Sequence, residues 1–110
     1  MRKPRLPDIT HLQFLVLAVL HGGQRPGRVV RATIADYGVR RTGAAFYQMM
    51  ARLERDGMVD GWYDQITVGD QVVTERRYQI TAAGVRAWTA TRAFYEHAGL
   101  PIAGERWSDA

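Results

Sequence analysis

The segment from Gly43 to Ile80 changes its hydrophobic period once, and this change is the strongest constraint on the fold. Up to Asp56 its apolar residues follow an i, i+3, i+4, i+7 spacing, which predicts a helix with one buried face. These residues are Phe46, Met49, Met50 and Leu53. After Gly57 the sequence predicts two strands around a turn at Gly69-Asp70, and the second of them alternates with the period of two expected of a half-exposed β-hairpin.

Two further helices are predicted ahead of this unit. Thr10 and Gln13 form a capping-box pattern for a first helix, which ends at Gly22-Gly23. A second helix is predicted from Arg28 to Asp36 or Tyr37. The residues on its apolar spacing are Val30, Ile34 and Tyr37. Three helices followed by a hairpin predict a mainly α fold with a small β-hairpin, a winged helix-turn-helix.

The first helix and a fourth helix at residues 82–98 are more apolar than a lone chain of this size can cover. Such faces are most easily buried against a second copy, so the fourth helix is predicted to be an additional dimerisation helix. The predicted dimer contacts are Phe14, Leu17, Trp88, Thr91, Phe94 and Tyr95. The predicted organisation is a basic arm (1–9), a winged-helix DNA-binding domain (10–81), the dimerisation helix (82–98) and a tail (99–110).

Basic residues are concentrated in the first half of the chain. Up to Arg55 there are ten Arg or Lys against three Asp or Glu, and from Asp56 onward there are five against eight. A basic half is a candidate surface for nucleic acid, although solvated arginines alone would give the same count. The absence of cysteine excludes disulfides and cysteine-based metal sites. The longest apolar run, Phe14–Leu20, is far shorter than the roughly 20 residues of a membrane span, so we expect a cytoplasmic protein without a membrane partner.

The side of the third helix opposite its apolar face mixes small, hydrogen-bonding and basic residues. These are Ala44, Tyr47, Gln48, Ala51, Arg52 and Arg55. Gln and Arg can read base edges in a DNA major groove, and alanines allow close approach. Arg40 and Arg41, just before the helix, are placed to contact phosphate. An ordinary solvated helix face is the alternative interpretation.

Two segments, FYQMMARLERDGMVDGWYD and ERRYQITAAGVRAW, resemble motifs of the PadR-type family of bacterial transcriptional regulators. The family's Leu-Tyr-Pro and Leu-x-x-Leu-Glu-x-x-Gly pattern corresponds to Phe46-Tyr47-Gln48 and to Met50 through Leu53-Glu54 to Gly57. Its Arg-x-Tyr-x-Leu-Thr-x-x-Gly pattern corresponds to Arg76 or Arg77, Tyr78, Ile80, Thr81 and Gly84. The order and spacing match from about Leu12 to Tyr95.

The resemblance implies a homodimer whose first and last helices pair, with two recognition helices in successive major grooves of double-stranded DNA and repression of nearby genes. It also implies that Tyr47 contacts phosphate. Gln48 stands where the family has Pro. The wing tip is acidic, so only Arg76 and Arg77 at its base are placed for the DNA backbone; the acidic residues are Asp64, Asp70 and Glu75. The predicted DNA contacts are Arg40, Arg41, Thr42, Ala44, Tyr47, Gln48, Arg52, Arg55, Arg76 and Arg77.

Two other functions are alternatives to DNA binding, and ligand sensing would be an addition to it. The three histidines show no catalytic or metal-binding spacing, so no enzyme activity, metal or cofactor is predicted. A winged helix can also bind proteins, since a fold does not decide function. A regulator of this type could sense a small aromatic effector at Trp88 in the dimer interface, whereas simple packing of aromatic residues is the alternative.

Overall fold

The computed structural model describes the backbone of residues 5–104 and the side chains of residues 5–98. Within this range the predicted order of three helices, a hairpin and a last helix is confirmed, and the fold is a winged helix-turn-helix. The elements are α1 (His11–His21), β1 (Arg25–Pro26), α2 (Gly27–Asp36), α3 (Gly43–Arg55), β2 (Val59–Val68), β3 (Gln71–Ile80) and α4 (Ala82–Gly104).

The helix ends follow the local signals in the sequence. The Thr10 hydroxyl accepts a hydrogen bond from the Gln13 backbone N–H, and the Gln13 side chain accepts one from the Thr10 backbone N–H, so the capping box is confirmed. The Thr42 hydroxyl caps α3 in the same way, by accepting from the Ala45 N–H. Gly57 follows α3 with φ of +74°, a conformation that a side chain would strain.

The hydrophobic core lies between the first three helices and the base of the hairpin. Its members in the helices are completely buried, as the helical spacing predicts for most of them. They are Val16, Leu17, Leu20, Val30, Ile34, Phe46, Met50 and Leu53. Val59 of β2 and Tyr78 of β3 close the core from the hairpin. Tyr37 shares the spacing of Val30 and Ile34 but is exposed, because α2 ends at Asp36.

The three strands form an antiparallel sheet in the order β1-β3-β2. In the hairpin, which we call the wing, Val59 pairs with Ile80 and Val68 pairs with Gln71, so the turn lies at Gly69-Asp70 as predicted. The sequence does not predict β1, which was expected to be loop. Two residues are too few to show a period. This strand is defined only by the antiparallel pairing of the segment after α1 with β3, in which Arg25 lies opposite Tyr78.

The last helix packs along α1 and against the base of the wing. The Thr81 hydroxyl accepts from the Gly84 N–H and donates to the Gly57 carbonyl, which ties the start of α4 to the end of α3. The helix continues to Gly104, beyond the predicted end at residue 98. The sequence indicated an earlier end because glycine and proline, at positions 99 and 101, disfavour a helix interior. Residues 1–4 of the predicted basic arm and 105–110 of the predicted tail lie outside the described residues.

None of the helices in the described part of the chain combines the length and the apolarity needed to cross a membrane.

Candidate nucleic-acid interface

The polar face of α3 is exposed, as the sequence predicts. The same helix buries Phe46, Met50 and Leu53 completely, so its two faces are sharply divided. The exposed side chains are Ala44, Tyr47, Gln48, Ala51, Arg52 and Arg55. The Tyr47 ring contacts Phe46 edge to face at 5.0 Å between centroids, which fixes its position while part of the ring stays accessible. Thr42, also predicted to contact DNA, uses its hydroxyl to cap the helix.

A basic cleft lies beside this face, between α2 and α3. We call it the arginine cleft; it has a volume of about 340 Å³ and is lined by Arg28, Arg31, Ala32, Ala35, Arg40, Arg41 and Tyr47. The Arg31 Nε donates to the Arg41 carbonyl at 3.0 Å, which holds this arginine of α2 against the turn that leads into α3. Among the described side chains, Arg31, Arg40 and Arg41 have no carboxylate within 4.0 Å. Several close positive charges without counter-charges favour binding of an anion.

The sequence predicts Arg40, Arg41 and Tyr47 as part of this site, but it does not predict Arg28 and Arg31. The signal that could have found them is their i, i+3 spacing on α2, on the side away from the buried Val30 and Ile34. That signal becomes specific only when the turn between α2 and α3 brings Arg41 against Arg31.

The two arginines at the wing base, which are predicted to contact the DNA backbone, also have partners within the chain. Arg76 pairs with Glu54 of α3, and its guanidinium lies 4.7 Å from the centre of the Tyr63 ring. Arg77 pairs with Glu75 at 3.5 Å and donates to the Gln24 side chain at 3.1 Å. Their side chains are only 23% and 21% exposed. These contacts fasten the wing to the helices, so both residues act first on the wing's position.

A second cleft separates α3 from the wing. It has a volume of about 510 Å³ and is lined by Tyr47, Ala51, Glu54, Tyr63, Arg76 and Tyr78. The ion pair between Arg76 and Glu54 in this cleft requires a glycine at position 61, because a Cβ there would overlap the Glu54 carboxylate. Burial raises the pKa of Tyr78, against the opposing effect of its hydrogen bond with Arg76. Tyr63 is exposed at the edge of this cleft, and the Arg76 guanidinium lies over its ring.

The outer half of the wing carries exposed apolar and acidic residues. Val68 and Val72 are exposed, as are Asp64 and Asp70, and no Arg or Lys lies between Asp64 and Glu75. Glu75 was predicted to be part of this acidic tip. Its side chain is instead only 10% exposed and lies within 4.0 Å of Arg28 at the start of α2 and of Arg77 on its own strand.

The predicted dimer residues divide into interior and surface positions. Leu17 is completely buried in the chain's own core, and Thr91 is 3% exposed with its hydroxyl donating to the Ala87 carbonyl, so neither offers a surface to a partner. Phe14, Phe94 and Tyr95 keep accessible surface along α1 and α4. These two helices already contact each other within the chain through aromatic pairs.

Trp88, the candidate effector residue, is also part of this internal packing. His21 stacks on the indole at 4.3 Å between ring centres, and Phe14 lies nearly parallel to it at 6.4 Å. At least one face of the Trp88 ring is therefore covered by a side chain of the same chain. Among the described residues no three His, Cys, Asp or Glu side chains are grouped as a metal site.

Sequence comparison finds neither a matching family model nor a matching curated protein. Solved structures do match. A transcriptional regulator from Clostridium thermocellum is 21% identical with a TM-score of 0.66 over 86% of this chain and 88% of that chain. A PadR family transcription regulator from Clostridium difficile is 10% identical with a TM-score of 0.72 over 86% and 97%. Bacillus subtilis PadR in complex with operator DNA is 14% identical with a TM-score of 0.58 over 73% and 45%. At these identities the shared property is the fold.

Proposed function

We propose that this protein is a PadR-type transcriptional regulator that binds specific double-stranded DNA in the cytoplasm as a homodimer and represses nearby genes. The observation that carries the proposal is the arginine cleft beside the exposed polar face of α3. A structural neighbour, Bacillus subtilis PadR, is bound to operator DNA, which supports the same use of this fold here.

In the proposed complex α3 enters the major groove. Gln48 and Arg52 lie on its exposed face, where their side chains can donate to base edges, and Ala44 leaves room for the bases. Arg40, Arg41 and Tyr47 hold the phosphates that flank the groove, since they line the cleft beside the helix. Arg55 at the end of α3 adds to the positive field.

The dimer is proposed to form through the remaining accessible aromatic surface of α1 and α4, which includes Phe14, Phe94 and Tyr95. Two-fold symmetry would then place two α3 helices in successive major grooves, with half-sites roughly 34–36 Å apart. Sedimentation of the purified protein tests this step. A monomer at micromolar concentration would contradict the geometry.

The direct test is fluorescence anisotropy with DNA from upstream of the protein's own gene and with a scrambled duplex, each at two salt concentrations. Tight binding of the first duplex, with a steep loss of affinity at high salt, is the expected result. Arg41→Gln should weaken binding to both duplexes and lower the salt slope by about 0.9 for each of the two phosphate contacts that the homodimer loses. Arg86→Gln, which removes another exposed charge, on α4, is the matched control and should change neither the affinity nor the salt slope.

Gln48→Ala is expected to change the preference among operator variants, because Gln48 is proposed to contact bases. An unchanged binding profile would remove Gln48 from the base-reading set.

A protein-binding winged helix is the second candidate, favoured by the exposed Val68, Val72 and Val73 on a wing segment without basic residues. In that case both duplexes would bind weakly and equally, and Arg41→Gln would have no specific effect.

A further inference from the structure

Glu75 is a buried carboxylate that faces arginines without a hydrogen bond to either. Its two oxygens have no access to solvent and no hydrogen-bond partner among the described residues. Arg28 Nη2 lies 3.8 Å from one oxygen, and Arg77 Nη1 lies 3.5 Å from the other. These separations exceed the usual hydrogen-bond length, so the contacts of the Glu75 carboxylate with the two arginines are ion pairs without a hydrogen bond.

Glu75 also connects the wing to the arginine cleft. Arg28 stands in the first turn of α2 and lines the cleft with Arg31, Arg40 and Arg41. Of the carboxylates in the described residues, only that of Glu75 comes within 4.0 Å of any of these four arginines. The cleft therefore contains four positive charges, one of which is partly neutralised from the wing.

The contact between Arg28 and Glu75 is of a kind that can be exchanged. Arg28 is 68% exposed, and a pair this long at the surface is weak because water competes for the guanidinium. When Arg28 leaves, Glu75 keeps Arg77, whose position is held by Gln24 as well. The buried carboxylate is thus never left without a positive partner.

We propose that Arg28 and Arg31 of α2 complete the cleft as a phosphate-binding site for the DNA backbone, and that Glu75 sets its affinity by holding Arg28. The inference rests on the proposed DNA-binding function and names the phosphate contacts of that same site. In the free protein Arg28 is paired with Glu75, and a DNA phosphate must replace Glu75 as the partner of Arg28. This lowers the affinity for every duplex alike, which leaves discrimination between sequences to α3.

The test is a double-mutant cycle measured by anisotropy against both the upstream and the scrambled duplex. Glu75→Gln keeps the side-chain shape and removes the charge, and should tighten binding to both duplexes by about fivefold, the upper range for a surface pair. Arg28→Gln should weaken binding to both duplexes and lower the salt slope by about 0.9 for each of the two phosphate contacts that the homodimer loses, and Arg31→Gln should do the same. In the Arg28→Gln background, Glu75→Gln should have no further effect, because Glu75 acts through Arg28.

Asp60→Asn is the control for the loss of one wing carboxylate. Asp60 is exposed on β2 and has no basic side chain within 4.0 Å among the described residues, so its substitution should leave affinity unchanged. Thermal unfolding of each variant checks that the fold is kept. Because Arg28 is exposed, Arg28→Gln should keep the fold. It therefore tests the phosphate site even if Glu75→Gln destabilises the wing.

The outcomes separate the two proposals. If Glu75→Gln tightens binding equally with and without Arg28, the carboxylate acts on DNA directly and its role through Arg28 is wrong. If the wild-type protein binds the upstream duplex but neither α2 variant changes affinity or salt slope, the phosphate site is refuted while DNA binding stands. If the wild-type protein binds neither duplex at low salt, the proposed function fails, and this site fails with it.

Discussion

Replacement of Gly84 by alanine tests how closely α4 approaches the base of the wing. Gly84 lies in the first turn of α4, and a Cβ added there would overlap the Met58 carbonyl oxygen and lie 2.7 Å from Ile80 Cγ1. The Met58 carbonyl also accepts the Thr81 N–H at 3.1 Å, so it cannot move without breaking the junction that starts α4. The overlap must then be relieved by shifting the helix itself.

The expected loss for Gly84→Ala is about 2 kcal/mol in the free energy of unfolding. Overpacking against a fixed group costs up to roughly 3 kcal/mol, and the better helix propensity of alanine returns about 1 kcal/mol. For a domain of this size such a loss lowers the melting temperature by roughly 10 °C. Thermal unfolding followed by circular dichroism measures it.

The reverse substitution at an exposed position of the same helix calibrates the propensity term. Ala90→Gly, on the exposed side of α4, should cost about 1 kcal/mol, because no packing changes there. If Gly84→Ala is as stable as the wild-type protein or more so, the close approach of α4 to Met58 does not exist in solution.

Substitutions at three further positions test the core, the wing base and the wing turn. Phe46→Ala removes the largest fully buried side chain and should lower the free energy of unfolding by about 3–5 kcal/mol in urea titrations; a loss below about 1 kcal/mol would contradict its burial. Because burial raises the pKa of Tyr78, the unfolded chain releases this proton first as the pH rises. The contribution of Tyr78 to stability should therefore be constant below the ordinary tyrosine pKa and fall above about pH 10, and Tyr78→Phe should reduce this alkaline loss; an identical alkaline profile in the variant would refute the assignment. Gly69 has φ of +62° with open space around it, so Gly69→Ala should cost about 1 kcal/mol from backbone strain alone. Gly69→Asn should be better tolerated, and equal losses for the two would point to another cause.

The elements that the sequence predicted are those decided by short-range patterns. The capping box at Thr10, the apolar spacing of α3 and the turn at Gly69-Asp70 each lie within a few residues of sequence, and the structure has them where they were predicted. The exposed face of α3 follows from the same spacing, since a helix that buries Phe46, Met50 and Leu53 must present the opposite side to solvent.

The tertiary structure alone decided which charged groups are free and which are paired. Arg76 and Arg77 look equivalent to Arg40 and Arg41 in the sequence, yet the first two are paired with Glu54 and Glu75 while the others stay open in the cleft. Glu54 lies 22 residues from Arg76, and Gln24 lies 53 residues from Arg77. No local period relates positions so far apart.

By itself, then, the sequence determined the kinds of element, their order and the apolar face of α3, because neighbouring residues on a helix or strand share a periodic geometry. It did not determine the strand β1, the place of Arg28 and Arg31 in the arginine cleft, or the burial of Glu75, Leu17 and Thr91. These features depend on how α1, α2, α4 and the wing pack against one another. Burial and charge pairing are properties of that packing, because they are set by distances in space between residues that are distant along the chain.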